Sequence, residues 1–156
     1  MNVRIVTRSA EETTALGERI AGLLFPGAFL ALSGDLGAGK TALSQGIGKG
    51  LGVSGVTSPT FTILQEHEGS LPLYHFDAYR LKNAQGLYDV GFSEYVSGEG
   101  VILMEWPENV AEALPKGRLA ILIEGSGDAP RTITLHATDA RHQAIPDALQ
   151  KEGEPC

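Results

Sequence analysis

Lys40 and Thr41 close the run Ser33-Gly34-Asp35-Leu36-Gly37-Ala38-Gly39-Lys40-Thr41, in which Gly34, Gly39, Lys40 and Thr41 fill the phosphate-loop pattern G-x-x-x-x-G-K-[ST] without a mismatch. Such a loop is a nucleotide site. Its glycines reach backbone conformations closed to other residues, so successive N–H groups turn inward around phosphates, and the loop opens a helix whose N-terminus favours anions. Lys40 is then the residue that reaches the β/γ-phosphates, and the Thr41 hydroxyl is the Mg²⁺ ligand. Two acids could complete the site. Asp77 lies near the end of the strand-like run from Leu71 to Tyr79, and Glu105 ends the apolar run Val101-Ile102-Leu103-Met104. Both have the form of a Walker B acid, because open parallel sheets place ligands outside the carboxyl ends of their strands. The uninterrupted apolar run before Glu105 favours it, since a central parallel strand is buried on both faces.

A third group of candidates is the hydroxyl-rich stretch Thr57-Ser58-Pro59-Thr60-Phe61-Thr62. In phosphate-loop proteins a hydroxyl-bearing loop beyond the first helix senses the γ-phosphate and its metal, and Thr60 or Thr57 fits that part. The competing reading is a polar loop that leads into a strand.

These residues need a frame. Asn2 to Thr7 reads as a short strand, Ser9-x-x-Glu12 as a capping box, and Leu16, Ile20, Leu23 and Leu24 as the apolar face of the helix it opens. Phe25-Pro26-Gly27 breaks that helix before the strand Ala28 to Leu32, which delivers the phosphate loop. The helix from Thr41 to Leu51 contains Gly46, Gly48 and Gly50, each costing roughly 1 kcal/mol against alanine. Close packing of that small face on the sheet is the favoured explanation. Further on, Ala84 to Val90 and Phe92 to Val96 read as two short helices about Gly91. A helix starts at Trp106-Pro107-Glu108, and Leu119 to Glu124 and Thr132 to His136 read as two last strands joined by a hairpin loop.

Strands alternating with helices predict an α/β protein of the P-loop NTPase fold, with a mostly parallel sheet flanked by helices. Residues 1–137 form the P-loop ATPase domain in this reading. Residues 138–156 are a polar C-terminal tail, a weak helix at most. The net charge of −7 and the lack of any Lys/Arg run argue against a free-standing nucleic-acid binder, so any RNA is held by a partner. No apolar run suggests a membrane span or signal peptide, and the single cysteine, Cys156, permits no intrachain disulfide. A cytoplasmic address fits.

Four blocks in order, Gly34 to Thr41, Ser58-Pro59-Thr60-Phe61, Tyr74-His75-Phe76-Asp77-Ala78-Tyr79-Arg80-Leu81 and Glu105-Trp106-Pro107-Glu108, resemble the TsaE (YjeE) family of bacterial P-loop ATPases over about residues 1–135. The resemblance implies an ATPase needed to make N6-threonylcarbamoyladenosine at position 37 of tRNAs reading ANN codons. It also implies a mixed sheet with antiparallel strands at the edges of the P-loop core, and two partners, TsaB and TsaD, the latter transferring the threonylcarbamoyl group. Carried over by motif, Thr41 and Glu105 resemble the Mg²⁺ ligands and Asp35, Leu36, Gly37, Ala38, Gly39, Lys40 and Thr41 the phosphate cradle. Thr60 resembles the switch-like threonine, and Asp77 an acid beside the γ-phosphate that orders water or metal. Trp106 resembles a tryptophan near the nucleotide, and Arg131 a late nucleotide contact.

Phosphoryl transfer asks mostly for positioning and charge neutralisation. Lys40 and the loop amides supply the second, and Asp77 or Thr60 places the water. No residue announces itself as an arginine finger, although Arg80 and Arg131 are candidates. Slow turnover stimulated by a partner is therefore expected. A GTP-dependent switch lacks its Asn-Lys-x-Asp signature, leaving a small-molecule kinase and a non-catalytic nucleotide-dependent adaptor as the rival readings.

Overall fold

The structure, a computed structural model, describes residues 2–35, 37–53, 56 and 63–153, with side chains to residue 150. The chain opens with β1 (Asn2–Thr7), an edge strand that buries Val3 and Thr7 and exposes the residues between more freely. Helix α1 (Ala10–Ala21) follows, because the Ser9 hydroxyl accepts the Glu12 N–H at 3.1 Å while the Glu12 carboxylate reaches back to the Arg8 N–H. β2 (Phe29–Ser33) leads through the glycine loop into α2 (Lys40–Gly50). Then come β3 (Leu64–His67), β4 (Leu73–Asp77), α3 (Gln85–Asp89), α4 (Phe92–Val96) and β5 (Val101–Glu105). A 3-10 segment (Pro107–Ala113), kinked at Val110, replaces the α-helix expected there. β6 (Leu119–Glu124), β7 (Arg131–Ala137) and α5 (Ala140–Gly153) complete the chain.

The seven strands form one sheet in the order β1-β7-β6-β2-β5-β4-β3. β6, β2, β5 and β4 run parallel in the middle, while β7, β1 and β3 pair antiparallel at the two edges. This is the expected mixed sheet. Alternation splits the core into two layers. Leu30, Leu32, Leu73 and Leu103 face α1, α2 and α5 through Leu16, Ile20, Leu43, Ile47, Ile145 and Leu149. Phe29, Ala31, Phe76, Ile102 and Met104 face the other way, toward Leu87, Phe92 and Val110. β5 is buried on both faces, as its unbroken apolar run requires.

Two expectations need correction. Gly46 and Gly50 of α2 pack on α1 rather than on the sheet, while Gly48 faces Val56. A Cβ at Gly46 would stand 2.0 Å from the Thr14 carbonyl oxygen, one at Gly50 2.4 Å from the Ala21 Cβ, and one at Gly17 2.5 Å from the Leu43 carbonyl oxygen. The helices touch backbone to backbone, and the Thr14 hydroxyl donates across the seam to the Ala42 carbonyl at 3.3 Å. The second correction is the segment after residue 137. It is a helix of 14 residues, and Ile145 and Leu149 lie in the main core. His142, Ile145 and Leu149 form a thin stripe at helical spacing in otherwise polar sequence, and Pro146 further disguises it. Asp139 starts the helix by accepting the His142 N–H at 2.9 Å, and burial then fixes what propensity alone does not.

Candidate functional site

β2 ends at Ser33, where the chain must turn sharply to enter α2. Gly37 (φ 81) and Gly39 (φ 105) take left-handed conformations that a side chain would strain. Gly34 is small because β6 runs close by: a Cβ there would meet both the carbonyl oxygen and a side-chain methyl of Ile123 at 2.7 Å. Gly39 is also the residue preceding the first turn of α2, so the helix presents unpaired N–H groups to the loop's interior. Ala38 is buried, Asp35, Gly37 and Thr41 are exposed, and Leu36 lies outside the described residues.

Lys40 opens α2 yet is buried. Its Nζ donates to the Gly34 carbonyl at 2.6 Å and lies 3.7 Å from the centroid of the Trp106 ring. Burial lowers the lysine's pKa, opposed by the charges of Glu105, Asp77, Glu108 and Asp35. The ammonium lies in the field of both strand-end acids. Asp77 and Glu105 occupy paired positions on the parallel strands β4 and β5, at their carboxyl ends, and both are buried. Desolvation raises the pKa of Asp77; the Tyr79 N–H, donating to its Oδ1 at 2.8 Å, opposes this, Glu105 adds to it, and His75 and Lys40 oppose it. Asn109 fastens the turn after Asp77 by donating to the carbonyls of Ala78 at 2.9 Å and Tyr79 at 3.3 Å.

Trp106 follows Glu105 directly with φ 58, and it is the one non-glycine residue with positive φ among the described residues. A tryptophan there is strained, and the kinked 3-10 segment with Pro107 at its start holds it. The ring contacts Tyr79 at 4.9 Å as well as Lys40. Arg131, at the start of β7, is spent on the loop itself: Nε donates to the Ala38 carbonyl at 2.8 Å and Nη2 to that of Gly37 at 3.4 Å. Its other N–H groups hold the carbonyls of Ala129 and Gly127 in the β6–β7 loop. Thr60, like Thr57, lies outside the described residues.

Space for a ligand lies on both flanks of the loop. One cavity of about 250 Å³ is lined by Ser9, Thr13, Gly39, Ala42, Asp128 and Arg131, and another of about 330 Å³ by Gly34, Asp35, Trp106, Glu108 and Glu124 among others. Among the described residues no three His, Cys, Asp or Glu side chains cluster as a metal cage. The carboxylates of Asp77 and Glu105 and the hydroxyl of Thr41 are oxygen donors of the kind Mg²⁺ takes, one or two at a time, with phosphate and water completing its shell. No described helix is long and apolar enough to cross a membrane.

Sequence reasoning missed two residues here. His75 is fully buried and bonds Glu105 across the strands; alternation along Tyr74-His75-Phe76-Asp77 already puts it on the face of Asp77. Asn109 left no such signal, since only the fold brings it to the Asp77 turn.

A sheet parallel at its centre, a glycine loop at the carboxyl end of β2 and a buried lysine in the field of two strand-end acids define the class: a P-loop nucleotide-binding protein of the α/β type. Within that class the chain belongs to the TsaE family, whose model, described as threonylcarbamoyl adenosine biosynthesis protein TsaE, matches residues 7–133. Two relatives carry the name tRNA threonylcarbamoyladenosine biosynthesis protein TsaE. That of Bacillus subtilis is 44% identical over 93% of this chain and 92% of its own length, and that of Treponema pallidum 42% identical over 85% and 99%. The crystal structure of Bacillus subtilis YdiB superposes with a TM-score of 0.86 and 38% identity, covering 99% of this chain and 97% of that one.

Proposed function

We propose that the protein is a Mg²⁺-dependent ATPase subunit required for tRNA N6-threonylcarbamoyladenosine modification, acting in the cytoplasm with TsaB and TsaD and meeting tRNA only through their complex. The observation that carries this reading is the convergence of Lys40, Asp77 and Glu105 at the mouth of the glycine loop. Lys40 donates through its ammonium to the Gly34 carbonyl, which places that group at the loop. In the loaded site its ammonium moves to the β/γ oxygens while the loop amides and the α2 N-terminus take up the remaining charge. The Thr41 hydroxyl and the Glu105 carboxylate would hold Mg²⁺, which would supply neutralising charge to the phosphates.

Asp77 orders the attacking water, with Thr60 as the switch-like threonine of the same site. The nucleoside lies in the cavity beside Gly39 and Ala42, and Trp106 lines the phosphate end. Because Arg131 is tied to four loop carbonyls, it is not poised to act as an arginine finger, and it contacts the nucleotide through the cradle it braces. An arginine finger is worth about 10³–10⁵ in rate, so the commitment of Arg131 to the loop supports slow turnover alone and stimulation by the partners. The test is steady-state ATP hydrolysis by the protein alone and with the TsaB–TsaD pair of its organism, with Glu105→Ala as control. Stimulation that the variant loses is the expected result. Unchanged turnover on adding the pair removes the partnership and returns the kinase and adaptor readings.

A further inference from the structure

His75 is an expensive residue to place where it is. Its imidazole is fully buried on β4, and among the described residues one of its two ring nitrogens has a partner. Nε2 meets Glu105 Oε2 at 2.5 Å, whereas Nδ1 has no hydrogen-bond partner among the described residues. A buried histidine kept for packing alone is better replaced by an apolar side chain of similar size, since half-satisfied polar groups cost stability. What the ring gains for its burial is a hold on one carboxylate oxygen.

That hold matters because of where Glu105 sits. The side chain ends a strand buried on both faces, in register with a second buried acid, Asp77. Among the described residues two groups offset its charge, the His75 N–H by a direct bond and the Lys40 ammonium through space. In the loaded site of the reading above, Lys40 turns to the phosphates, and His75 is the partner that stays. Resting on that reading, we infer that His75 is a positioning residue for Glu105: it donates Nε2–H to Oε2, locks the carboxylate's rotation, and commits Oε1 to the metal side. The geometry has a simple source. His75 pairs with Leu103, two residues before Glu105, so histidine and glutamate are diagonal neighbours on one face of adjacent parallel strands.

Metal-ligand carboxylates are commonly oriented by such outer partners, and losing one typically costs about 10–100-fold in metal affinity. Mn²⁺, as a spectroscopic substitute for Mg²⁺, can be titrated by electron paramagnetic resonance into the full-length protein saturated with ADP, with melting curves to verify folding. Four variants decide the matter: His75→Leu, His75→Asn, His75→Gln and Glu105→Gln. Glutamine places an N–H as many bonds from Cα as His75 Nε2 does, and asparagine falls one bond short. The expected pattern is a loss of about 10–100-fold in Mn²⁺ affinity for His75→Leu and His75→Asn, with most of it recovered in His75→Gln. Should His75→Leu fail to fold, the Asn/Gln pair carries the comparison. If Glu105→Gln weakens Mn²⁺ binding while all three His75 variants bind like the parent, or if Gln and Asn are equally impaired, the positioning role is overturned and the Glu105 assignment stands. If Glu105→Gln leaves Mn²⁺ affinity unchanged, the metal assignment fails, and the inference with it.

Discussion

Replacing Gly46 by alanine sets two effects of opposite sign against each other in a single methyl group. By helix propensity the substitution stabilises α2, by roughly 1 kcal/mol. Packing argues the other way: the new Cβ stands 2.0 Å from the Thr14 carbonyl oxygen, where ordinary contact begins at 3.4 Å, and the backbone carbon behind that oxygen is only 2.8 Å away. The obstacle is main chain, so no rotamer change relieves it. α1 and α2 must part by about 1 Å or more, and overpacking of this kind costs about 1–3 kcal/mol, at the upper end when backbone has to move. The Thr14–Ala42 hydrogen bond along the same seam stretches with it. The net expectation is a destabilisation of about 1–2 kcal/mol, or roughly 2–8 °C in melting temperature for a chain of this size. Both helices wall the cavity beside the phosphate loop, α1 through Thr13 and α2 through Ala42, so nucleotide affinity should fall as well. Chemical denaturation gives the first quantity, and calorimetric titration with ADP the second. A Gly46→Ala protein that melts higher than the parent, with unchanged affinity, would show that propensity wins and that the helices are not in backbone contact. Gly48→Ala is a useful companion, because its Cβ meets the side chain of Val56 at 2.5 Å, and a side chain can yield more cheaply than main chain.

Four other outcomes follow from the geometry. Asp77→Asn should abolish hydrolysis yet raise the melting temperature at neutral pH. Desolvation first, and Glu105 after it, hold the Asp77 pKa above the ordinary aspartate value, so the folded state binds this proton more tightly than the unfolded one. The group thus favours folding below that ordinary value and loses the advantage as pH rises through its own raised value, so the variant's gain should vanish as pH falls below the ordinary aspartate value. Arg131→Lys keeps the charge but cannot span the Ala38, Gly37, Ala129 and Gly127 carbonyls, and nucleotide affinity measured by calorimetry should fall with only a modest loss of stability. Trp106 is the chain's single tryptophan, so withdrawal of the Lys40 ammonium from its ring by Mg²⁺–ATP should change its fluorescence, and Lys40→Met should abolish that response. In His142→Phe the Phe29 N–H loses its acceptor, His142 Nε2 at 3.0 Å, at a cost of about 1–3 kcal/mol readable in the melting curve.

That last contact shows how α5 is tied into the structure. His142 Nδ1 donates to Asp139 at 2.7 Å, which leaves Nε2 free to accept the first N–H of the strand that delivers the phosphate loop. The ring also meets Phe25 edge-on, and Arg141 lies over the same Phe25. The segment after residue 137 is therefore joined to the nucleotide site's supporting strand by polar contacts as well as by Ile145 and Leu149. Asp139, although burial raises its pKa, is held below the ordinary value by the backbone N–H and ring of His142, so this tie is present above that value and is lost as pH falls through the lowered one.

Local rules were enough for much of this molecule. The phosphate loop is legible because glycine, lysine and threonine at those spacings are demanded by backbone geometry that few other residues can adopt. The strands ending at Asp77 and Glu105 are legible because a buried parallel strand needs an apolar run and an acid at its end breaks it. The short helices about Gly91 follow from periodicity and turn chemistry in the same way, whereas the antiparallel edges were implied by the family resemblance alone. Only the tertiary structure decided the rest, since each remaining feature is a contact between segments far apart in the chain. Tight approach of α1 to α2 required the glycines that a propensity scale counts as faults. A thin apolar stripe in polar sequence became α5 once β7 and β1 offered it a surface. Arg131 became a brace because β7 returns beside the loop, and His75 a partner of Glu105 because β4 and β5 are neighbours in register. Spacing along a chain determines which backbone shapes are possible, whereas burial and charge depend on what the folded chain brings alongside, and a single sequence does not carry those distances.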